Sequence, residues 1–170
     1  MALQRGTTIF DILEHVISLQ KRTLAEDNHG QLISEGQLAF DCLKVGRFSK
    51  TKDIIEYVAS IRKQTLGEDD YDRQRLAKLV AVAYLEGDHI KKGIDILEHV
   101  VSTQKQTLAE GNFDRLESER LLAIAYLNDN RIKDAINILE KIVSAQKQIL
   151  SKDDPVRLLP ERLLSLAYNF

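Results

Sequence analysis

Hydrophobic residues recur along this chain with a fixed period of 42 residues. An apolar residue followed by Glu occurs at positions 13–14, 55–56, 97–98 and 139–140. Three other sets keep the same register: Ser18, Ser60, Ser102 and Ser144; Lys21, Lys63, Lys105 and Lys147; and Leu24, Leu66, Leu108 and Leu150. A period held without drift indicates a repeat array, in which each unit buries its apolar face against its neighbours.

Each repeat reads as one long and one short helix. In the long helix at 133–150, apolar residues follow three- and four-residue steps, which predicts an amphipathic helix with one buried stripe. The short helix at 115–128 ends in Leu121-Leu122-Ala123-Ile124-Ala125-Tyr126-Leu127, which is apolar almost all round. Such a helix has to be covered on more than one side, as stacking in an array would do.

The pattern predicts an all-α fold, a right-handed solenoid of antiparallel helix pairs that forms a single array over residues 1–170. The predicted helices are 8–24, 31–45, 49–66, 73–86, 91–108, 115–128, 133–150 and 157–169. Because this order begins with a long helix and ends with a short one, a fragment of a longer array would look similar.

Local signals mark the helix ends. Asp114 followed by Glu117 has the spacing of a capping box, and Asp154 before Pro155 combines a cap acceptor with a proline at the first helical position. Polar turns are expected at 86–88 and 128–130.

The short helix carries a family resemblance. The run 122–126, with Ala135 and Leu139 after it, resembles the tetratricopeptide (TPR) pattern. The 42-residue period is longer than the usual ~34 of that class and is similar to the kinesin light chain type. The segments 97–101, 104–110, 114–116 and 154–158 are similar to arrays in fungal NOD-like receptors. Cys42 in place of Tyr and Gly36 in place of a larger residue depart from the pattern.

The resemblance implies a set of short-helix positions that face a concave groove. They are Arg75, Lys78, Val82, Leu85 and Glu86; Glu117, Arg120, Ile124, Leu127 and Asn128; and Leu159, Arg162, Leu166, Asn169 and Phe170. Among them, Lys78, Arg120 and Arg162 align as cations, and Val82, Ile124 and Leu166 align as apolar residues, with Leu43, Leu85 and Leu127 extending the apolar row. This pairing suits a peptide with acidic and aliphatic side chains. The alternative is that these residues only pack against neighbouring helices.

Composition narrows the function classes. The formal net charge of −2 argues against a nucleic-acid partner, whose binding proteins are basic. No apolar run approaches the ~20 residues that span a bilayer, so no membrane association is expected. One cysteine, Cys42, fits a reducing compartment, and we expect a cytoplasmic protein.

No constellation of residues predicts catalysis, a metal or a cofactor. His15 and His99 share a repeat position on the polar side of long helices, and His29 and His89 lie in turns without a nearby cysteine. We expect Cys42 to be a buried structural thiol. Glu14, Glu56, Glu98 and Glu140 are interpreted as a solvated face rather than as paired carboxylates. The chain is not expected to be an enzyme.

The leading hypothesis is therefore a noncatalytic protein- or peptide-binding scaffold, possibly the ligand-sensing segment of a larger receptor. The alternative is a structural spacer or oligomerisation element that self-associates through its open helical ends.

Overall fold

The computed structural model describes residues 69–152 and 154–170, together with Ser18, Cys42, Asp53, Glu56 and Gly67. The first four of these isolated residues are helical. Each falls within one of the helices predicted at 8–24, 31–45 and 49–66, whose other residues lie outside the described part, as do His15, His29, Gly36 and Leu43. Cys42 is fully buried, as predicted.

The chain forms two compact units, residues 1–87 and 88–170. In the first unit the structure describes one complete helix, α1 (Tyr71–Glu86). Asp70 caps it by accepting a hydrogen bond from the backbone N–H of Arg73 at 3.0 Å. The helix buries Leu76, Val80 and Tyr84.

The second unit consists of four helices joined by short turns. They are α2 (Ile90–Thr107), α3 (Phe113–Asn128), α4 (Ile132–Ile149) and α5 (Pro155–Ala167). Each helix packs on the next, and α3 also contacts α5. No strand occurs among the described residues.

The helices bury the faces that their sequences dictate. In α4 the buried residues Ala135, Leu139, Ile142 and Val143 follow the spacing of one helical stripe. Leu139 and Ile142 are completely enclosed. Helix α3 is covered by α2, α4 and α5, which explains why it tolerates apolar residues almost all round. None of the described helices is long and apolar enough to cross a lipid bilayer.

One predicted cap is wrong. Helix α3 begins at Phe113, and its cap is Asn112, whose side-chain oxygen accepts hydrogen bonds from the N–H groups of Asp114 at 3.0 Å and Arg115 at 3.3 Å. Asp114 therefore lies inside the first turn, where its carboxylate favours the positive end of the helix dipole. At the start of α5 the expected cap is confirmed, because Asp154 accepts from the N–H of Val156 at 2.8 Å with Pro155 in the first turn.

The turn after α3 depends on a left-handed residue. Asn130 has φ 59°, and the N–H of Arg131 then donates to the carbonyl of Tyr126 at 2.8 Å. Asp88, at the same repeat position, has φ 61°. Asn and Asp tolerate this conformation better than most side chains, so the polar residues of these turns serve backbone geometry.

Candidate ligand-binding face

The predicted groove residues of α1 differ in exposure. Arg75 is exposed, whereas Val82 and Leu85 are half-buried. Lys78 departs from the expected row of exposed cations, since it is only 7% exposed. Gln74, Lys78 and Ala81 are all buried and follow the four- and three-residue steps of one helix face, so Lys78 lies on the buried face of α1.

In the second unit the predicted residues are more accessible. Arg120, Ile124 and Leu127 on α3 are half-buried, whereas Arg162 and Leu166 on α5 are exposed. Neither Arg120 nor Arg162 forms an ion pair with any residue in the described part of the chain.

A pocket of about 190 Å³ lies between α3 and α5. Its walls contain Arg120, predicted from the sequence, together with Glu117 and Leu159 from the same groove positions. Its other lining residues, which the sequence interpretation missed, are Phe113, Leu116, Gln146, Pro155 and Val156. Ile124, Leu127, Arg162 and Leu166 do not line it.

The apolar part of this pocket is open to solvent. Phe113 is 62% exposed, and Val156 and Leu159 are each more than two-fifths exposed. Exposed apolar side chains around a concavity are typical of binding sites, where they exclude water from a ligand. The sequence contained a signal for Phe113 as a pocket residue. Tyr71 and Phe113 are aromatic residues at the same repeat position, just before the predicted starts of their helices.

The polar part of the pocket comes from α4. Gln146 is 4% exposed, and its Oε1 atom accepts no hydrogen bond from any described residue. A buried acceptor without a donor is uncommon in folded proteins and costs free energy.

A second cleft, of about 590 Å³, lies along α2, α3 and α4. Its wall contains an ion pair in which Arg115 Nε lies 3.2 Å from Glu119 Oε1, and Arg115 also donates to the carbonyl of Leu108 at 3.0 Å. These contacts tie the turn after α2 to α3. The ion pair in the wall of this cleft therefore stabilises the packing of the chain and is interpreted as structural.

Glu56, Glu98 and Glu140 are exposed, in agreement with their interpretation as a solvated face, and each also accepts a hydrogen bond from a tyrosine. Glu14 lies outside the described residues. The Tyr126 hydroxyl donates to Glu98 Oε1 at 2.6 Å, and Tyr168 donates to Glu140 at 2.5 Å. In the first unit Tyr84 donates to Glu56. Because each pair spans 28 residues, it joins a short helix to the preceding long one.

The central pair includes a cation. Arg131 lies 3.9 Å from the centre of the Tyr126 ring, and its guanidinium contacts Glu98 at 3.4 Å and Asp134 at 2.8 Å. Burial, followed by the hydrogen bond to Glu98, raises the pKa of Tyr126 to about 12. The hydrogen bond to Glu140 raises the pKa of Tyr168. At neutral pH both phenols are protonated donors, so these pairs hold helices together.

Nothing in the described residues forms a group of three or more His, Cys, Asp or Glu that could hold a metal ion. His89 and His99 are both exposed.

Solved structures of similar fold are known. A candidate kinesin light chain from Podosopora anserina with nearly identical TPR-like repeats is 27% identical, with a TM-score of 0.87 over 99% of this chain and 80% of that one. A single-substitution variant of that protein gives a TM-score of 0.89 at 27% identity, over 99% of this chain and 79% of that one. BtubC (BKLC) from P. vanneervenii is 12% identical, with a TM-score of 0.82 over 97% of this chain and 66% of that one.

No protein-family model matches the chain, and no curated protein matches it. The structural matches confirm the predicted fold: this chain is an all-α, tetratricopeptide-like repeat solenoid, similar in its repeats to the kinesin light chain type.

Proposed function

We propose that this chain is a noncatalytic protein- or peptide-binding scaffold whose ligand lies along α3 and α5, the short helices of the second unit. Helical repeat arrays use extended concave surfaces of this kind for binding. The observation that carries the proposal is the pocket between α3 and α5, where exposed Phe113, Val156 and Leu159 surround a concavity beside Arg120.

The ligand chemistry follows from these groups. Arg120 and Arg162 attract acidic side chains, and the apolar wall accepts an apolar one. Attraction between exposed charges is screened by salt, with a Debye length of about 8 Å at physiological ionic strength. Binding should therefore weaken as salt rises, mainly through a slower association rate.

A displayed library of random peptides, selected at low and high salt, tests this function. The wild type should enrich peptides that combine acidic and apolar residues. The double variant Arg120→Glu/Arg162→Glu should lose them without unfolding, because Arg162 is exposed and Arg120 is only half-buried.

The matched control is Lys91→Glu/Lys133→Glu, which makes the same charge change at two exposed positions of the long helices. It should retain the enriched peptides. Identical peptide profiles for wild type and the Arg120→Glu/Arg162→Glu variant would contradict the proposed groove.

A second candidate function is a spacer or oligomerisation element. It is favoured by apolar exposure on and after α5, where Leu166 is 57%, Tyr168 59% and Phe170 85% exposed. Large exposed apolar patches tend to find partners. Light scattering should then show association that Leu166→Glu/Phe170→Glu reduces, whereas a strict monomer at high concentration would exclude this function.

We also propose a cytoplasmic location and a place in a larger receptor of the fungal NOD-like type. The support is the similarity of the segments 97–101 and 104–110 to the repeats of such receptors. Sequencing the parent transcript on both sides of this segment tests the receptor hypothesis, since it requires an encoded nucleotide-binding module.

A further inference from the structure

The pocket between α3 and α5 contains a buried acceptor whose chemistry goes beyond a general apolar site. Gln146 lines the pocket from α4, and its side chain is almost completely removed from solvent. Its Oε1 atom accepts no hydrogen bond from the residues that the structure describes. The other walls are mainly apolar, so a ligand donor would find little competition for this oxygen.

The volume limits the size of the occupant. A protein cavity of about 150 Å³ lined by apolar side chains holds one benzene molecule. The present pocket, at about 190 Å³, has room for one six-membered ring with a small substituent. Exposed Phe113 lies at the pocket and offers a face or edge on which such a ring can pack.

We infer that this pocket binds one tyrosine side chain of a peptide ligand. The tyrosine ring packs on Phe113, Val156 and Leu159, and the tyrosine hydroxyl donates a hydrogen bond to Oε1 of Gln146. This inference deepens the proposed function and rests on it for the peptide. Oε1 is enclosed in the free chain, so the inference requires the amide to turn until this oxygen faces the pocket. The terminal torsion of glutamine is broad enough to permit that turn.

Tyrosine is favoured over phenylalanine because of the orphaned acceptor. A phenylalanine ring would fill the same space but leave Oε1 without a donor, whereas the phenol satisfies it. Sites built to hydrogen-bond a ligand hydroxyl reject the analogue that lacks it. Gln146 is thus the residue that determines specificity, and Arg120 at the pocket wall would pair with a neighbouring ligand carboxylate.

Two small probes test the pocket without any peptide. p-Cresol and toluene are the side-chain analogues of tyrosine and phenylalanine, and their binding to the full chain is measured by ¹H–¹⁵N NMR titration. p-Cresol should bind about three- to tenfold more tightly than toluene, the range expected for one net hydrogen bond. It should also shift the side-chain amide resonances of Gln146.

The variant Gln146→Met conserves length and removes the carbonyl acceptor, and it should bind both probes equally. Its matched control is Gln148→Met, which changes an exposed glutamine of the same helix and should keep the preference for p-cresol. Circular dichroism checks that both variants fold. Equal affinity of the wild type for the two probes would overturn the inference, as would an undiminished preference for p-cresol in folded Gln146→Met. If Gln146→Met does not fold, the wild-type affinities and the shift of the Gln146 resonances decide.

The outcomes separate this inference from the proposed function. If p-cresol is preferred through Gln146 but no library peptide binds, the pocket stands and peptide binding fails. If peptides bind but a Tyr-to-Phe exchange in them changes nothing, the scaffold function stands and the tyrosine site fails.

Discussion

The hydroxyl of Tyr126 donates a hydrogen bond to the carboxylate of Glu98, which lies 28 residues earlier in the chain, at 2.6 Å. The contact joins α3 to α2, and the Tyr126 ring beneath it is only 7% exposed. Tyr168 and Glu140 repeat the arrangement between α5 and α4. The 28-residue spacing from Glu14 leads to position 42, which is Cys and not Tyr in this sequence.

The two tyrosines should differ in their importance for stability. Tyr126→Ala should lower the free energy of unfolding by about 3–5 kcal/mol, as other large-to-small changes of buried aromatics do. Tyr168→Ala should cost much less, because that side chain is 59% exposed. Denaturant unfolding of both variants measures the difference, and equal losses would contradict the packing described for α3.

Stability should fall in strongly alkaline solution because of Tyr126. Its pKa is raised to about 12 in the folded chain, from an ordinary value near 10, so the unfolded chain releases this proton first. The contribution is complete below about pH 10 and is lost as pH rises towards 12, by at most about 3 kcal/mol. Unfolding free energies measured across this range should decline less in Tyr126→Phe than in the wild type. Parallel pH profiles for the two proteins would refute the assignment.

Asn112 should be the residue that stabilises the start of α3. Asn112→Ala should cost about 1 kcal/mol, because it removes the acceptor for the N–H groups of Asp114 and Arg115. Asp114→Ala should cost less, since it weakens only the charge–dipole interaction and local contacts. Thermal or denaturant unfolding ranks the two variants, and the reverse order would restore Asp114 as the cap.

Asn130 should prefer glycine to alanine as a replacement. At φ 59°, alanine pays a steric cost of about 1–2 kcal/mol that glycine avoids. Asn130→Gly should therefore stay close to the wild type in stability, while Asn130→Ala is destabilised. If both variants unfold at the same denaturant concentration, the left-handed turn contributes nothing to stability.

Several features of the site were beyond sequence interpretation because they depend on which helices meet. Lys78 occupies the repeat position of Arg120, yet Lys78 is buried and Arg120 is half-buried. The sequence did not single out Gln146, because only the packing of α4 against its neighbours places it in the pocket with Phe113 and Val156. Glu98 and Glu140 are exposed as expected, but their hydrogen bonds to tyrosines 28 residues away could not be predicted, because nothing local in the sequence connects the two positions.

The sequence by itself determined the fold class and the helices from residue 71 onwards. The amphipathic patterns and turn residues such as Asn130 act over a few neighbouring positions, as does backbone hydrogen bonding within a helix. The 42-residue period shows that the same local patterns recur along the chain, which indicates a repeat array. Tertiary structure decided the pairing of Tyr126 with Glu98, the burial of Lys78 and the pocket beside Gln146. These depend on distances between side chains of different helices, which are set only when the apolar stripes have packed together.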